Sequence, residues 1–430
     1  MIWKQVVFAT VTIGMVASLA RGQAGPSALG AADLVEMAIQ RNRDFLAVRE
    51  RIAETQGLLR QAGIRPAPAL EIEESTGRPL GTKGEEAFSA AYFHTVETFG
   101  KRAKRIAVAQ KSTDMADAEL AERLRLLVFD VKVRYAQAKT EQQKLETIER
   151  LFSTNRDYYR LTEARVQQGD APPLEGQLFL TDLSRVEAQQ IGVASSADRT
   201  LFELRKVVGV SPPELLPLLN PELPTFDKGI LSELQEQALR TRPDLRIMRL
   251  LEDQALAETN LARAEGKPDF TASARYSRIN SSFDQFGFNR AGQLTQVRSQ
   301  DNILTFGVSV PLFLPKRNQG AIEAALARSA AARLRREHLE TVIRLEVESA
   351  FRRWESAKRA VEILNRGVIG QLESNLTIVR QAYTLGQLRI LDVLNEQRIV
   401  IESQLTYLDA QSELLQSFAE LERSVGGSIQ

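Results

Sequence analysis

The chain has 430 residues, with 56 Lys and Arg against 55 Asp and Glu, two His and no Cys. Balanced charge removes the global basic footprint of a nucleic-acid binder, and the lack of Cys excludes thiolate catalysis, cysteine zinc sites and disulfides. Charged residues reach 26% and aromatics only 6%, which suits long solvated helices better than a compact core.

The N-terminus reads as a secretory signal peptide, residues 1–24. Lys4 precedes an apolar run over 6–19, and small residues allow cleavage after Ala20 or Ala24. The run is short for a bilayer span. No Cys follows it, so the mature N-terminus is expected not to be lipidated.

Residues 33–64 carry Leu34, Met37, Ala38, Phe45, Val48, Ile52, Leu58 and Leu59 at helical spacings. Asp33 is the expected N-cap, and Pro66 and Pro68 end the helix. Residues 69–75 alternate weakly, with Leu70 and Ile72 opposite Glu71 and Glu73. A turn-rich loop is expected over 76–86. A second strand follows over 87–99, with Phe88, Ala90 and Tyr92 on one face.

Gly100-Lys101-Arg102 opens a helical segment to residue 168. Leu124, Leu127, Val131, Ala138, Leu145, Ile148, Phe152 and Tyr159 follow a seven-residue frame. Gly169-Asp170-Ala171-Pro172-Pro173 breaks it, and a shorter helix runs over 174–208. A Pro-rich linker follows.

The second half repeats the first. The stretch 38–45 matches 238–245, Pro68 matches Pro268, and Lys101-Arg102 matches Lys316-Arg317. Gly169 matches Gly386, Leu174-Glu175 matches Leu391-Asp392, and Val208-Gly209 matches Val425-Gly426. This order of matches marks an internal duplication. The expected units are residues 1–24 (signal), 25–209 (first repeat), 210–230 (linker), 231–426 (second repeat) and 427–430 (tail).

The third strand, 269–280, puts Phe270, Ala272, Ala274 and Tyr276 opposite Thr271, Ser273, Arg275 and Ser277. A polar loop is expected over 281–301. The fourth strand, 303–312, sets Leu304, Phe306, Val308 and Val310 on one face, expected to meet lipid, and Thr305, Gly307 and Ser309 on the other. After a turn at Leu314-Pro315 one very long helical segment is expected over 316–379. Its seam is Ile343, Val347, Ala350, Trp354, Ala357, Val361, Leu364 and Val368.

Four strands of about ten residues have the length of tilted membrane strands. A small soluble sheet is the other possibility. Four strands cannot close a membrane barrel, so copies must combine: two give eight strands and three give twelve. The helices carry charged outer faces and belong in water. Short helices stacked end to end beside each long one complete an antiparallel bundle.

Over essentially the whole mature chain this arrangement resembles the outer-membrane efflux proteins of the TolC family. The residues that carry the likeness are Gly100-Lys101-Arg102, then 306–312 running into Lys316-Arg317-Asn318-Gln319-Gly320, and Gly386 followed by Leu391-Asp392-Val393-Leu394. The 310–321 stretch is most similar to the heavy-metal, CzcC-like branch. The resemblance implies a mostly α, internally duplicated chain forming a long antiparallel coiled-coil helical barrel. Four strands per chain would contribute to a trimeric 12-stranded β-barrel. It implies a homotrimer in the outer membrane of a Gram-negative bacterium, extending into the periplasm. The implied partners are a periplasmic adaptor (membrane fusion) protein and an inner-membrane resistance-nodulation-division pump.

The same resemblance implies adaptor contact at the two helical tips, Gln168, Gly169 and Asp170, and Leu385, Gly386 and Gln387. It implies an acidic pore constriction at Asp392, with Asn395 where some members carry a second aspartate, and Glu175 as the first-half counterpart. A helix N-terminal carboxylate favoured by the dipole explains Asp392 equally well.

His338 is expected to be solvated and His94 to face water or the pore. Lys101, Arg102, Lys104 and Arg105 are expected as an interfacial anchor. No catalytic, metal or cofactor motif is found. The expected function is a passive exit duct of a tripartite efflux system with no enzymatic step, heavy-metal cations being the cargo that the branch suggests. The alternative is a periplasmic or cytosolic coiled-coil scaffold with a soluble β-hairpin domain.

Overall fold

The computed structural model describes residues 28–429 except 82–84, 213, 225, 227–229, 313–317 and 366–367. The expected signal segment, the Leu314-Pro315 turn and the Lys316-Arg317 pair lie outside the described residues.

The 33–64 stretch is two helices, α1 (Ala31–Arg41) and α2 (Arg43–Ala62). Asn42 leaves helical backbone at φ −69°, ψ 108°, and its Oδ1 caps α2 by accepting from the Phe45 N–H at 3.0 Å. Asp33 is not the N-cap. Gly30 holds that place, and Asp33 reaches back from the third helical position to accept the Gly30 N–H at 2.9 Å.

Strands β1 (Ala69–Thr76) and β2 (Glu85–Val96) precede α3 (Lys101–Gln168). At 1.5 Å per residue α3 is a rod of about 100 Å. Helix α4 (Pro173–Val208) returns along its distal half, where Val186 packs on Ile148 and Leu151. Helix α2 covers the proximal half, tied by Arg51–Glu119 at 3.0 Å. The two short helices thus stack end to end, joined where Asn42 donates to the Val207 carbonyl at 2.7 Å.

The second half gives α5 (Leu231–Thr241), α6 (Pro243–Glu265), β3 (Phe270–Phe288), β4 (Leu294–Ser309), α7 (Gln319–Asn365), α8 (Val368–Thr384) and α9 (Ile390–Val425). Arg242 breaks α5 from α6 as Asn42 breaks α1 from α2, here with Pro243 at the first helical position. The expected segment over 316–379 is helical as α7 and α8, and residues 366–367 between them lie outside the described residues.

The cores repeat residue for residue. Leu34, Ala38, Phe45, Leu127, Val131, Ala138, Leu204 and Val208 fill one. Leu234, Ala238, Leu245, Ile343, Val347, Trp354, Leu421 and Val425 fill the other.

The four strands form one antiparallel sheet in the order β1-β2-β3-β4. The 281–301 stretch is not a loop. β3 runs on to Phe288 and β4 begins at Leu294, leaving a tight turn in which Asn289 bonds to Gln293 at 2.9 Å. Its polar residues mislead because a ribbon beyond the apolar belt has water on both faces, so alternation carries no signal there.

Candidate functional site

Two regions carry the chemistry of a conduit: the sheet wall and the helical tip. In the sheet, register fixes which side chains share a face. Leu70 pairs with Tyr92, Tyr92 with Ala274, and Ala274 with Phe306. The next rows add Ile72, Ala90, Tyr276 and Leu304 on one side, and His94, Ala272 and Val308 on the other. One face is therefore apolar. Leu304, Phe306, Val308 and Val310 stand on it between 54% and 75% exposed, the exposure of a surface that the chain itself does not cover.

His94 belongs to this apolar face and not to the pore side. It stacks on Tyr92 with ring centroids 6.5 Å apart, at the helix-proximal end of the belt, where an aromatic with one polar edge suits a membrane interface.

The opposite face carries Glu71, Glu73, Ser89, Ser277 and Thr305 around Arg275. Arg275 reaches over small β2 residues to Glu73 at 2.9 Å and Glu71 at 3.8 Å, and bonds Ser89 at 3.1 Å. A charged face back to back with an apolar one is the wall of a water-filled pore.

The basic run at the strand-to-helix junction is turned to the protein. Lys101 bonds Asp269 and the Lys267 carbonyl, each at 2.7 Å. Arg102 bonds the Gly63 carbonyl at 2.6 Å, Lys104 the Phe99 carbonyl at 2.7 Å, and Arg105 pairs with Glu97. These contacts tie the strand-to-helix junction to the end of α2 and to the approach to β3.

At the far end both tips close in the same way. Gly169 has φ 80° and Gly386 φ 72°. Each glycine N–H bonds the carbonyl three residues back, and the next N–H bonds the one five back. This left-handed closure favours glycine. A Cβ on either glycine would meet nothing within 4 Å, so backbone conformation sets the requirement. Gln168, Asp170, Leu385 and Gln387 are exposed around them.

Behind the tips Phe179, Tyr383, Ile390 and Val393 form a small buried cluster. Asp392 and Glu175 occupy the same position, the third residue of α9 and of α4. Their environments differ. Asp392 is exposed and accepts the Arg389 N–H at 3.0 Å. At the matching cap of α4 stands Pro172, which has no N–H to offer. Glu175 turns instead to α8 and accepts from the Tyr383 hydroxyl at 2.8 Å. Asn395, one turn after Asp392, is exposed beside it.

Sequence reasoning missed the polar node above the tip. Asn155 donates to Asp182 at 2.6 Å and accepts from Gln397. Asn155 and Gln397 are buried. Three helices supply these groups, so no spacing in the chain announces them. Among the described residues no helix is long and apolar enough to cross a membrane, and no cluster of His, Asp or Glu could hold a metal ion.

The sequence profile of outer membrane efflux proteins matches residues 34–210 and again residues 234–427. The chain belongs to the outer membrane efflux protein family. The cobalt-zinc-cadmium resistance protein CzcC of Cupriavidus metallidurans is 23% identical, over 96% of this chain and 93% of that protein. The solvent efflux pump outer membrane protein SrpC of Pseudomonas putida is 22% identical, over 92% of this chain and 84% of that protein. Among solved structures, CusC superposes with TM-score 0.73 at 18% identity, covering 93% of this chain and 92% of that one. VceC of Vibrio cholerae gives 0.70 at 20%, covering 93% and 97%. For an outer membrane efflux protein, the two matched segments are the two repeats of the core, and the four-stranded sheet is the membrane part.

Proposed function

We propose that three copies of this efflux channel close a 12-stranded barrel and form the passive exit duct of a tripartite efflux system. The observation that carries the reading is the sheet itself. Among the described residues it has two free edges, β1 and β4, one exposed apolar face, and a charged opposite face. An open sheet of this kind is stable in lipid only when further copies remove its edges.

The exposed glycine tips suit docking of the hairpins of a periplasmic adaptor, with an inner-membrane pump supplying the energy. The exposed Asp392 carboxylates of three copies would ring the axis, repel one another and favour cations. The similarity to CzcC, named for cobalt, zinc and cadmium resistance, supports divalent metal cations as cargo. The N-terminus is taken as a cleaved signal without lipid, and the helices as standing in the periplasm. The duct performs no chemical step.

The test is extraction and mass. The mature protein should leave the outer membrane only with detergent, weigh three chains, and conduct ions in a planar bilayer. A detergent-independent monomer or dimer would replace the duct with the coiled-coil scaffold.

A further inference from the structure

Within the chain, α3 lies against the end of α9. Lys132 pairs with Glu422 at 2.5 Å, Arg125 bonds the Arg423 carbonyl, and the Arg423 guanidinium sits 5.0 Å over the Phe129 ring. The duplication maps this seam onto a second place. Leu127 and Val131 recur as Ile343 and Val347, and Leu204 and Val208 as Leu421 and Val425. Lys132 therefore corresponds to Glu348, Phe129 to Leu345, Glu422 to Arg205 and Arg423 to Lys206.

In the first half the end of α4 borders an open groove of about 600 Å³, whose cations are Arg41, Arg43, Arg123, Arg205 and Lys206. Its acids are Asp44 and Asp130. Arg41 is held by Glu214 and Arg123 by Asp44. Arg43, Arg205 and Lys206 have no carboxylate partner among the described residues. The Arg205 Nε is shielded from water and finds no acceptor.

The α7 face that corresponds to the covering face of α3 is also open. It carries Leu345, 62% exposed, and Glu348 on one stripe, whereas Glu337 and Glu340 further back are held by Arg336 at 3.6 Å and 3.0 Å. Arg344 lies on the same stripe. Among the described residues Glu348 holds only an exposed pair with Arg352, one turn away at 2.9 Å, a weak contact that is readily exchanged.

We propose that the basic groove at the end of α4 receives the Leu345–Glu348 face of α7 from a second copy, and that Glu348 meets Arg205. The pair is the intrachain Lys132–Glu422 bridge with both charges reversed. Leu345 then sits where Phe129 sits, under Lys206. Further along the seam Gln137 bonds Gln416 at 3.0 Å. Their counterparts are Arg353 and Arg199, and Arg353 is already held by Glu413 and Glu420. The attraction between copies is therefore centred on Arg205 and Glu348. Reversed polarity has a second effect: the α3 face cannot occupy the α4 groove, because Lys132 would meet Arg205. The seam thereby keeps pairing within the chain distinct from pairing between chains.

The inference rests on the oligomeric duct proposed above. Charge reversal tests it directly. Arg205→Glu and Glu348→Arg should each lower the oligomer fraction several-fold in detergent at low salt, measured by light scattering on a sizing column. The double variant R205E/E348R should restore it. Single variants that assemble like the wild type, or a double variant no better than the singles, would overturn the seam.

A second arm uses the cysteine-free chain. The double variant R205C/E348C, treated with a short bifunctional maleimide, should give covalently linked copies, and neither single variant should. If the wild type is itself monomeric, the duct reading fails. If the wild type is oligomeric and the double variant does not crosslink, only the seam fails.

Discussion

The Tyr383 hydroxyl on α8 donates to the Glu175 carboxylate on α4 at 2.8 Å, tying the two tip hairpins of one chain together. Burial, then the neighbouring Glu175 carboxylate, push the Tyr383 pKa up, so the phenol stays a donor at any physiological pH. A tip that opens by spreading its helices must stretch or break this bond. Tyr383→Phe keeps the ring in its cluster and removes the bond, at a cost of about 1 kcal/mol. Purified Y383F channels should show a larger mean conductance in planar bilayers than the wild type. Conductance equal to the wild type would mean that the bond holds the fold but does not restrain the opening.

Asp392 and Glu175 share a helical position but not an environment. Asp392 is exposed, whereas Glu175 is half-buried against Tyr383, so in the proposed duct only Asp392 would act on ions. Asp392→Ala should raise single-channel conductance and weaken block by multivalent cations. Glu175→Gln should leave the block unchanged, since its side chain faces Tyr383. Equal effects of the two substitutions on the block would refute this division.

The sheet makes a face-specific prediction. Phe306 and Thr305 are adjacent in β4, yet one shares a row with Ala274 and the other with Arg275. Arginine at a lipid-facing position near the bilayer centre costs roughly 2–4 kcal/mol. Phe306→Arg should therefore sharply reduce folding into liposomes, read as the heat-modifiable band on a gel. Thr305→Arg should fold and instead alter ion selectivity. Comparable folding of the two variants would argue against a membrane wall.

Much of this was legible in the chain. Strand faces and the long α3 follow from periodicity, and both tips follow from glycine placed after a long apolar frame. The repeat was visible because Leu34, Ala38 and Phe45 keep their spacing as Leu234, Ala238 and Leu245. Other features were hidden for physical reasons. Asn42 breaks a helix through a side-chain cap, which leaves the apolar spacing on both sides intact. Residues 281–301 look like a loop because a solvated ribbon needs no alternation. His94 shares the alternation of Phe88, Ala90 and Tyr92, but that this row is apolar across all four strands showed only in its register with Ala272 and Val308. The Asn155, Asp182 and Gln397 node depends on three helices meeting, and the Tyr383 bond on a missing proline N–H.

The break between α5 and α6 is one source of acid sensitivity in the bundle. Arg242, with its side chain 2% exposed, bonds Asp244 at 2.6 Å, Glu346 at 2.7 Å and the Ser424 carbonyl at 3.2 Å. Burial alone would raise the Asp244 pKa, but the Arg242 guanidinium outweighs it and holds the carboxyl below its usual value. A depressed carboxylate pKa stabilises the fold above the unfolded value of about 3.9. That stability is lost as the pH falls through the folded value. Asp244→Asn should lower the thermal midpoint of the detergent-purified protein at neutral pH. The gap to the wild type should begin to shrink as the pH falls through the unfolded value of about 3.9 and close only below the lower, folded value, because the wild-type carboxyl becomes protonated. Truncating Arg242 should be worse, since it removes the nearer partner of Asp244 and leaves only Arg125, at 3.8 Å. A gap between D244N and the wild type that stays constant with pH would show that the side chain acts there by packing rather than by charge.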